Sequence, residues 1–153
     1  MVNLTLLYKR LNQKYFNNML PKYTRVKFEW MIAYQMVGQC WTHKRLIRIS
    51  KPYHDIYPNE LEDTMIHEMI HLIHPNHGKG FYKEMDRLRS LGATVSRHSE
   101  HDIREQFAKH VYKCPCCGNK VYTFRKLSGC GKRICPECKS LVLFVYNRKD
   151  VMV

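Results

Sequence analysis

The residues best suited to chemistry lie in the segment His67-Glu68-Met69-Ile70-His71, which is an HExxH pattern. Apolar residues around it recur at helical spacing, so the two histidines fall on one face of a predicted helix and can share one Zn²⁺. Glu68 is adjacent to that face and can act as general base on a water at the metal. The pattern predicts a catalytic zinc site with Glu68 as its catalytic residue.

A third zinc ligand is expected just after this helix, where His74 and His77 are the candidates. A continued helix would keep His74 on the same face as His67 and His71. Three ligands on consecutive turns lie nearly in a row, which is a poor tetrahedral arrangement. His77 follows Pro75 and approaches from the turn after the helix. We therefore predict His67, His71 and His77 as zinc ligands, and His74 as a residue that contacts the ligands, a solvent-facing residue or a lower-ranked alternative ligand.

A second metal site is predicted from cysteines, because six of the seven lie between positions 114 and 138. The segments 114–118 (CPCCG) and 135–138 (CPEC) are two CxxC knuckles, and 17 residues lie between Cys117 and Cys135. Two such turns complete a tetrahedral site, and the metal replaces a core that a small module cannot build. The expected structural ligands are Cys114, Cys117, Cys135 and Cys138. The chain is therefore expected to bind two zinc ions.

The net charge of +13 is concentrated toward the C-terminus, where residues 110–153 carry nine basic and two acidic side chains. Such a field favours a polyanion, and nucleic acid is preferred to a membrane because no amphipathic basic helix is visible. Aromatic residues interleave with the cations, which suits single-stranded DNA, although each aromatic could equally pack the small core. The candidate DNA contacts are Lys113, Lys120, Tyr122, Phe124, Arg125, Lys126, Lys132 and Arg133.

The elements that must position these residues follow from hydrophobic periodicity. Helices are predicted over residues 3–18, 59–74, 80–90 and 103–109, and strands over 26–32, 37–41 and 46–50. The expected apolar face of the metal-site helix extends to Ile73. The predicted fold class is α+β, with helices packed on a small antiparallel sheet and a zinc ribbon following. The composition changes at His110, so the predicted domains are 1–109 and 110–153.

Several classes of protein are excluded by length and composition. The longest apolar runs are a few residues, far short of the ~20 that a membrane span needs. The N-terminal residues lack the basic region and apolar core of a signal peptide. The cysteine cluster therefore suggests metal binding rather than disulfides. We expect an intracellular protein, cytoplasmic or in the nucleoid or nucleus, that does not bind membranes and, without a heptad pattern, is a monomer.

The segment HEMIH at 67–71, followed by HGKGF at 77–81, resembles the SprT-like metalloprotease family. The family pattern is HExxH, a loop, and HGxxF with that histidine as third zinc ligand. The resemblance extends over nearly the whole chain, including residues 7–20, 29–30, 38–40, 47–50, 61–71 and 95–110. Only five residues separate His71 from His77, fewer than in Spartan-like members and closer to metzincins and WLM-type relatives.

The resemblance implies a zincin-type metalloprotease domain and a zinc-dependent endopeptidase. Its substrates would be proteins bound or crosslinked to DNA, as in DNA–protein crosslink repair, and the C-terminal module would bind DNA and help switch the protease on. One alternative is a non-catalytic DNA-binding zinc protein with a degenerate protease fold, against which the intact Glu68 argues. Another is a general metallopeptidase whose ribbon docks a protein partner, against which the basic ribbon argues.

Overall fold

The computed structural model describes residues 1–125 and 133–142. Two compact units divide the chain, Met1–His101 and Asp102–Val153, while the sequence-based boundary at residue 110 stays a prediction. The first unit contains α1 (Leu4–Phe16), β1 (Arg25–Glu29), β2 (Gly38–Trp41), β3 (Leu46–Ser50), α2 (Lys51–Ile56), α3 (Leu61–His71) and α4 (Lys79–Ser90). The second contains α5 (Arg104–Phe107), β4 (His110–Lys113), β5 (Lys120–Thr123), β6 (Arg133–Ile134) and β7 (Leu141–Val142). The α+β class is confirmed.

Helix α1 forms where the apolar spacing predicted it. The Asn3 side chain accepts a hydrogen bond from the Leu6 amide at 3.1 Å and caps the helix, which ends at Asn17 in the left-handed region with φ 50°. Its apolar face is buried in the core with α3, α4 and one face of the sheet. The buried residues of this face are Leu4, Leu7, Tyr8, Leu11, Tyr15 and Phe16.

The three-stranded sheet has the order β1-β3-β2, and its β1 and β3 strands run parallel. The prediction of an all-antiparallel sheet is therefore wrong, although β2 and β3 do form an antiparallel pair. Residues 30–37 carry the chain across the end of β3 to β2, two strand spacings or about 9.6 Å away. Ser50 fixes this crossing, because its hydroxyl donates to the Met31 carbonyl at 2.6 Å and its amide donates to the Val37 carbonyl at 2.8 Å.

Helix α3 is shorter than its apolar pattern predicted. It packs against β2 and β3 with the buried side chains Leu61, Met65, Ile66, Met69 and Ile70. The helix ends at His71, so Ile73 leaves the apolar face and is 44% exposed, contrary to expectation. Helix α2, which the sequence did not reveal, starts directly after β3 with Ser50 as its N-cap.

The described residues of the second unit contain two short antiparallel pairs, β4 with β5 and β6 with β7. Its described core consists of Tyr112, Cys114 and Cys135, with Val121 packed against them. In a module with few buried apolar side chains, such as these described residues provide, a structural metal can contribute folding free energy. Within the described residues of the whole chain, no helix is long and apolar enough to cross a bilayer.

Candidate metal centres and catalytic cleft

Three imidazoles converge at the C-terminal end of α3. The Nε2 atoms of His67, His71 and His77 lie 3.0–3.2 Å from one another. Ligands bound to zinc at about 2.05 Å in a tetrahedral arrangement would be about 3.3 Å apart, close to the observed spacing. Helix α3 presents the first two ligands one turn apart, and the turn before α4 brings the third. These residues form a group that could hold a metal ion.

The chemistry of the donors fits a cation. The Nδ1 atoms of His67 and His71 lie 2.8 Å and 3.0 Å from the Ser96 and His74 carbonyl oxygens. A carbonyl only accepts, so each Nδ1 carries the proton and each Nε2 presents a lone pair. Facing lone pairs repel unless a positive ion lies between them. Burial also lowers the pKa of His67 to about 4 and keeps that ring neutral, as a metal ligand must be.

The Phe81 ring packs against all three imidazoles of the histidine triad, His67, His71 and His77. Its fully buried ring lies 5.0 Å from the His67 ring centre, 4.8 Å from that of His71 and 4.6 Å from that of His77. His74 lies behind the ligands, because its carbonyl orients His71 and its ring contacts Gly80. A Cβ at Gly80 would be 2.7 Å from the His74 Nδ1 atom, so a larger residue at this position in HGKGF would displace the His74 ring.

Glu68 lies against the edge strand β2. The side chain is 5% exposed, and burial raises the pKa of its carboxyl group to about 8. A Cβ at Gly38 would be 2.7 Å from both Cγ and Oε1 of Glu68. The missing side chain at Gly38 therefore provides the space that the carboxylate occupies.

Asp63 positions His67 through the turn at Ser96. One Asp63 oxygen accepts the Ser96 amide at 2.8 Å, and the other accepts the Ser96 hydroxyl at 3.0 Å. The Ser96 carbonyl then orients the His67 ring. Metal ligands are commonly fixed by such outer partners. Asp63 lies one helical turn before His67, but no local sequence pattern predicts that Ser96 contacts both residues.

A cleft of about 530 Å³ contains these groups. One wall is strand β2 with the segment before it, another is α3, and the third is the turn around Ser96. Tyr34 and Met36 lie at the cleft and are 59% and 44% exposed. Sequence reasoning missed these two residues, because an irregular segment has no periodicity to mark it.

The four predicted cysteines converge in the second unit. Their sulfur atoms lie within 4.8 Å of one another, and the Cys114–Cys138 and Cys117–Cys135 pairs are 3.5 Å and 3.6 Å apart. Tetrahedral thiolates on zinc would be about 3.8 Å apart. The Ser140 hydroxyl, 2.9 Å from the Cys138 sulfur, lowers the pKa of that thiol to about 6. This set also could bind a metal ion such as zinc. The remaining cysteines of the module, Cys116 and Cys130, are respectively exposed and outside the described residues.

The predicted DNA contacts have different environments. Lys113, Lys120, Phe124 and Arg125 are exposed. Tyr122 is partly buried, and its hydroxyl donates to Glu105 at 3.1 Å, while Lys120 lies 3.4 Å from the same carboxylate. Lys126 and Lys132 lie outside the described residues, and Arg133 is described only as part of strand β6. Their role in DNA binding stays a prediction.

Comparison with known proteins gives one family match. The model of the SprT-like family matches residues 4–103, which span α1 to α4 and include the histidine triad, Glu68 and Ser96. The Cys₄ group lies beyond the matched region. No curated protein matches the sequence of this chain. Because the match covers about two thirds of the 153 residues, this chain belongs to the SprT-like family.

Proposed function

We propose that this chain is a zinc-dependent endopeptidase that cleaves proteins bound or crosslinked to DNA. The observation that carries the proteolytic part is the convergence of three histidine Nε2 atoms in the same cleft as the buried Glu68. Membership of the SprT-like family, which suggests a metalloprotease-like function, supports the assignment.

The residues of the chain would divide the hydrolysis as follows. His67, His71 and His77 would hold the zinc ion, which supplies a Lewis acid for the scissile carbonyl and the attacking water. Glu68 accepts a proton from the attacking water while the oxygen of the water bonds to the carbonyl carbon. The same carboxyl group gives the proton to the leaving amine when the C–N bond breaks. Gly38 leaves room for the Glu68 side chain to hold this position.

Strand β2 offers a binding edge for the substrate backbone. In the described sheet it pairs only with β3, and its residues 38–40 line the cleft. An extended peptide can add to such an edge through main-chain hydrogen bonds. Tyr34 and Met36 would then contact its side chains. Backbone binding of this kind gives little sequence selectivity, so selectivity has to come from what brings the substrate to the cleft.

We infer that DNA brings the substrate to the cleft. The C-terminal residues 110–153 carry nine basic side chains against two acidic ones, and Lys113, Phe124 and Arg125 are exposed there. Counterion release on phosphate binding favours association of such a surface with DNA. Glu105 competes for Lys120 and Tyr122, so these two are expected to contribute less than the other three.

Glu68→Gln tests the chemistry, because an amide has nearly the same shape and cannot accept the proton. This variant should retain zinc and fold while peptide hydrolysis falls below detection, and an unchanged rate would refute the mechanism. His77→Ala should lose the catalytic zinc and the matched His74→Ala should keep it. Cleavage of a DNA-binding protein, measured with and without single- or double-stranded DNA and with a chelator, tests the substrate.

A further inference from the structure

The outer face of the first unit's sheet carries cations around a tryptophan. Val26, Ile47 and Ile49 are buried on the inner face, so the alternate residues point outward. In the register of the sheet, Arg48 of β3 lies between Gln39 of β2 and Lys27 of β1. Leu46 of β3 lies between Trp41 of β2 and Arg25 of β1. The residues on the outward side are Arg25, Lys27, Glu29, Gln39, Trp41, Leu46, Arg48 and Ser50, of which Leu46 and Ser50 are buried.

Trp41 lies at the centre of the charge on this face. The Lys44 Nζ atom is 4.5 Å from its ring centre, and the Arg48 guanidinium carbon is 5.1 Å away. Glu29 is the acidic residue of the face, 2.5 Å from Arg48 Nε and 3.5 Å from Lys27 Nζ. Arg25, Lys27, Lys44 and Arg48 therefore outnumber the one carboxylate of this region, and Arg25 and Lys27 are exposed. A surface with this surplus is complementary to a polyanion.

We propose that this outer sheet face binds single-stranded nucleic acid, with a base stacked on Trp41 and phosphates at Arg25 and Lys27. An aromatic platform flanked by cations is the arrangement that binds unpaired strands, because every base has a stacking face and every linkage has a phosphate. A duplex hides its base faces, so it could use the cations but not the tryptophan. An anionic lipid surface would likewise leave the aromatic ring without a stacking partner.

Strand β2 connects this face to the cleft. Trp41 is its last residue, and residues 38–40 of the same strand line the cleft. The following residue, Thr42, donates from its hydroxyl to the His71 carbonyl at 3.3 Å, which ties the turn to the end of the metal-site helix. A single nucleic-acid strand bound to the outer face would hold a protein attached to it beside the cleft. In this respect the inference rests on the proposed function.

The fluorescence of Trp41 tests the stacking directly, because the chain has two tryptophans. In the full-length Trp30→Phe protein, Trp41 is the remaining emitter, and oligothymidylate should quench it. In the matched Trp41→Phe protein, Trp30 emission should change little. Absence of quenching in the Trp30→Phe protein would overturn the proposal. Quenching by phosphatidylserine vesicles but not by oligothymidylate would assign the face to a membrane and overturn it too.

Affinity for oligothymidylate tests the cations. In Arg25→Gln/Lys27→Gln the log–log salt slope should decrease by about 0.7 to 1.4, which corresponds to ~0.7 for Arg25 and a smaller part for Lys27, since Glu29 lies 3.5 Å from Lys27. Trp41→Leu should bind about tenfold more weakly, at the lower end of the contribution of one stacked base. The control is Lys9→Gln/Lys14→Gln on the exposed side of α1, which removes the same charge and should keep the original slope. Equal losses in both double variants would refute a localised surface.

Hydrolysis of a free peptide separates this inference from the proposed function. Arg25→Gln/Lys27→Gln should hydrolyse the peptide at the original rate and cleave a protein crosslinked to single-stranded DNA more slowly. If Glu68→Gln retained peptidase activity while Trp41 was still quenched, the proposed function would fail and the nucleic-acid surface would stand. The reverse pattern, with hydrolysis dependent on Glu68 and no quenching, would leave the protease and remove the surface.

Discussion

Replacing Gly38 by alanine should disable Glu68 without touching a metal ligand. The new Cβ would be 2.7 Å from Glu68 Cγ and Oε1, where ordinary contacts begin at 3.4 Å, so the carboxylate must move by about 0.7 Å. A misplacement of ~1 Å can cost about 10²-fold in rate. We therefore expect kcat to fall by about 10- to 100-fold, equivalent to ~1.4–2.7 kcal/mol in the activation free energy.

The assay measures peptide hydrolysis and zinc content on the same protein. Gly38→Ala should keep its catalytic zinc, because the contacts of the new methyl group are with Glu68 rather than with the imidazoles. Gly78→Ala is the matched control, since a Cβ there meets nothing within 4 Å, although the residue lies beside His77. The reasoning is refuted if Gly38→Ala retains full kcat, or if both alanine variants lose the same activity.

Two further substitutions test the support of the site and of the fold. Asp63→Asn can accept only one of the two Ser96 donors, so zinc affinity measured by chelator competition should fall about 10- to 100-fold. The exposed Asp86→Asn is the control. Equal losses of zinc affinity in both variants would exclude a role of Asp63 in positioning His67 through Ser96. His54 is buried, which lowers its pKa, so its neutral form contributes stability above about pH 6.5 that is lost as the pH falls toward the folded-state pKa. In His54→Gln the slope of unfolding free energy against pH below 6.5 should be smaller by up to about 1.4 kcal/mol per unit, and an unchanged slope would contradict this.

Features that depend on local spacing were predictable from the sequence. The periodicity of α1 and the i, i+4 histidines of α3 fix which side chains share a helix face, whatever the rest of the chain does. The CxxC knuckles are equally local, since each turn positions its own two thiols. The parallel pairing of β1 with β3 was not predictable in this way, because the direction of a strand depends on where a connection crosses the sheet.

Features that depend on distant contacts were missed. The orientation of His67 comes from a carbonyl 29 residues away, which is in turn held by Asp63. In the second unit, Tyr122 alternates with cations in the sequence, but the structure places Glu105 at its hydroxyl. A charge pattern shows that a segment is basic and does not show which of its side chains an acidic neighbour already engages.

The short connection between His71 and His77 has a second structural role, because residues in it and directly after it also hold the ligands in place. The His74 carbonyl fixes the tautomer of His71, and Gly80 leaves room for the His74 ring behind the triad. Phe81 then supports all three imidazoles from a fully buried position. A longer loop would have to find these contacts elsewhere, whereas here ligand, orienting carbonyl and support all come from eleven consecutive residues, 71–81. His77 is the exposed member of the triad, so the cleft is open to a substrate from the side of this turn.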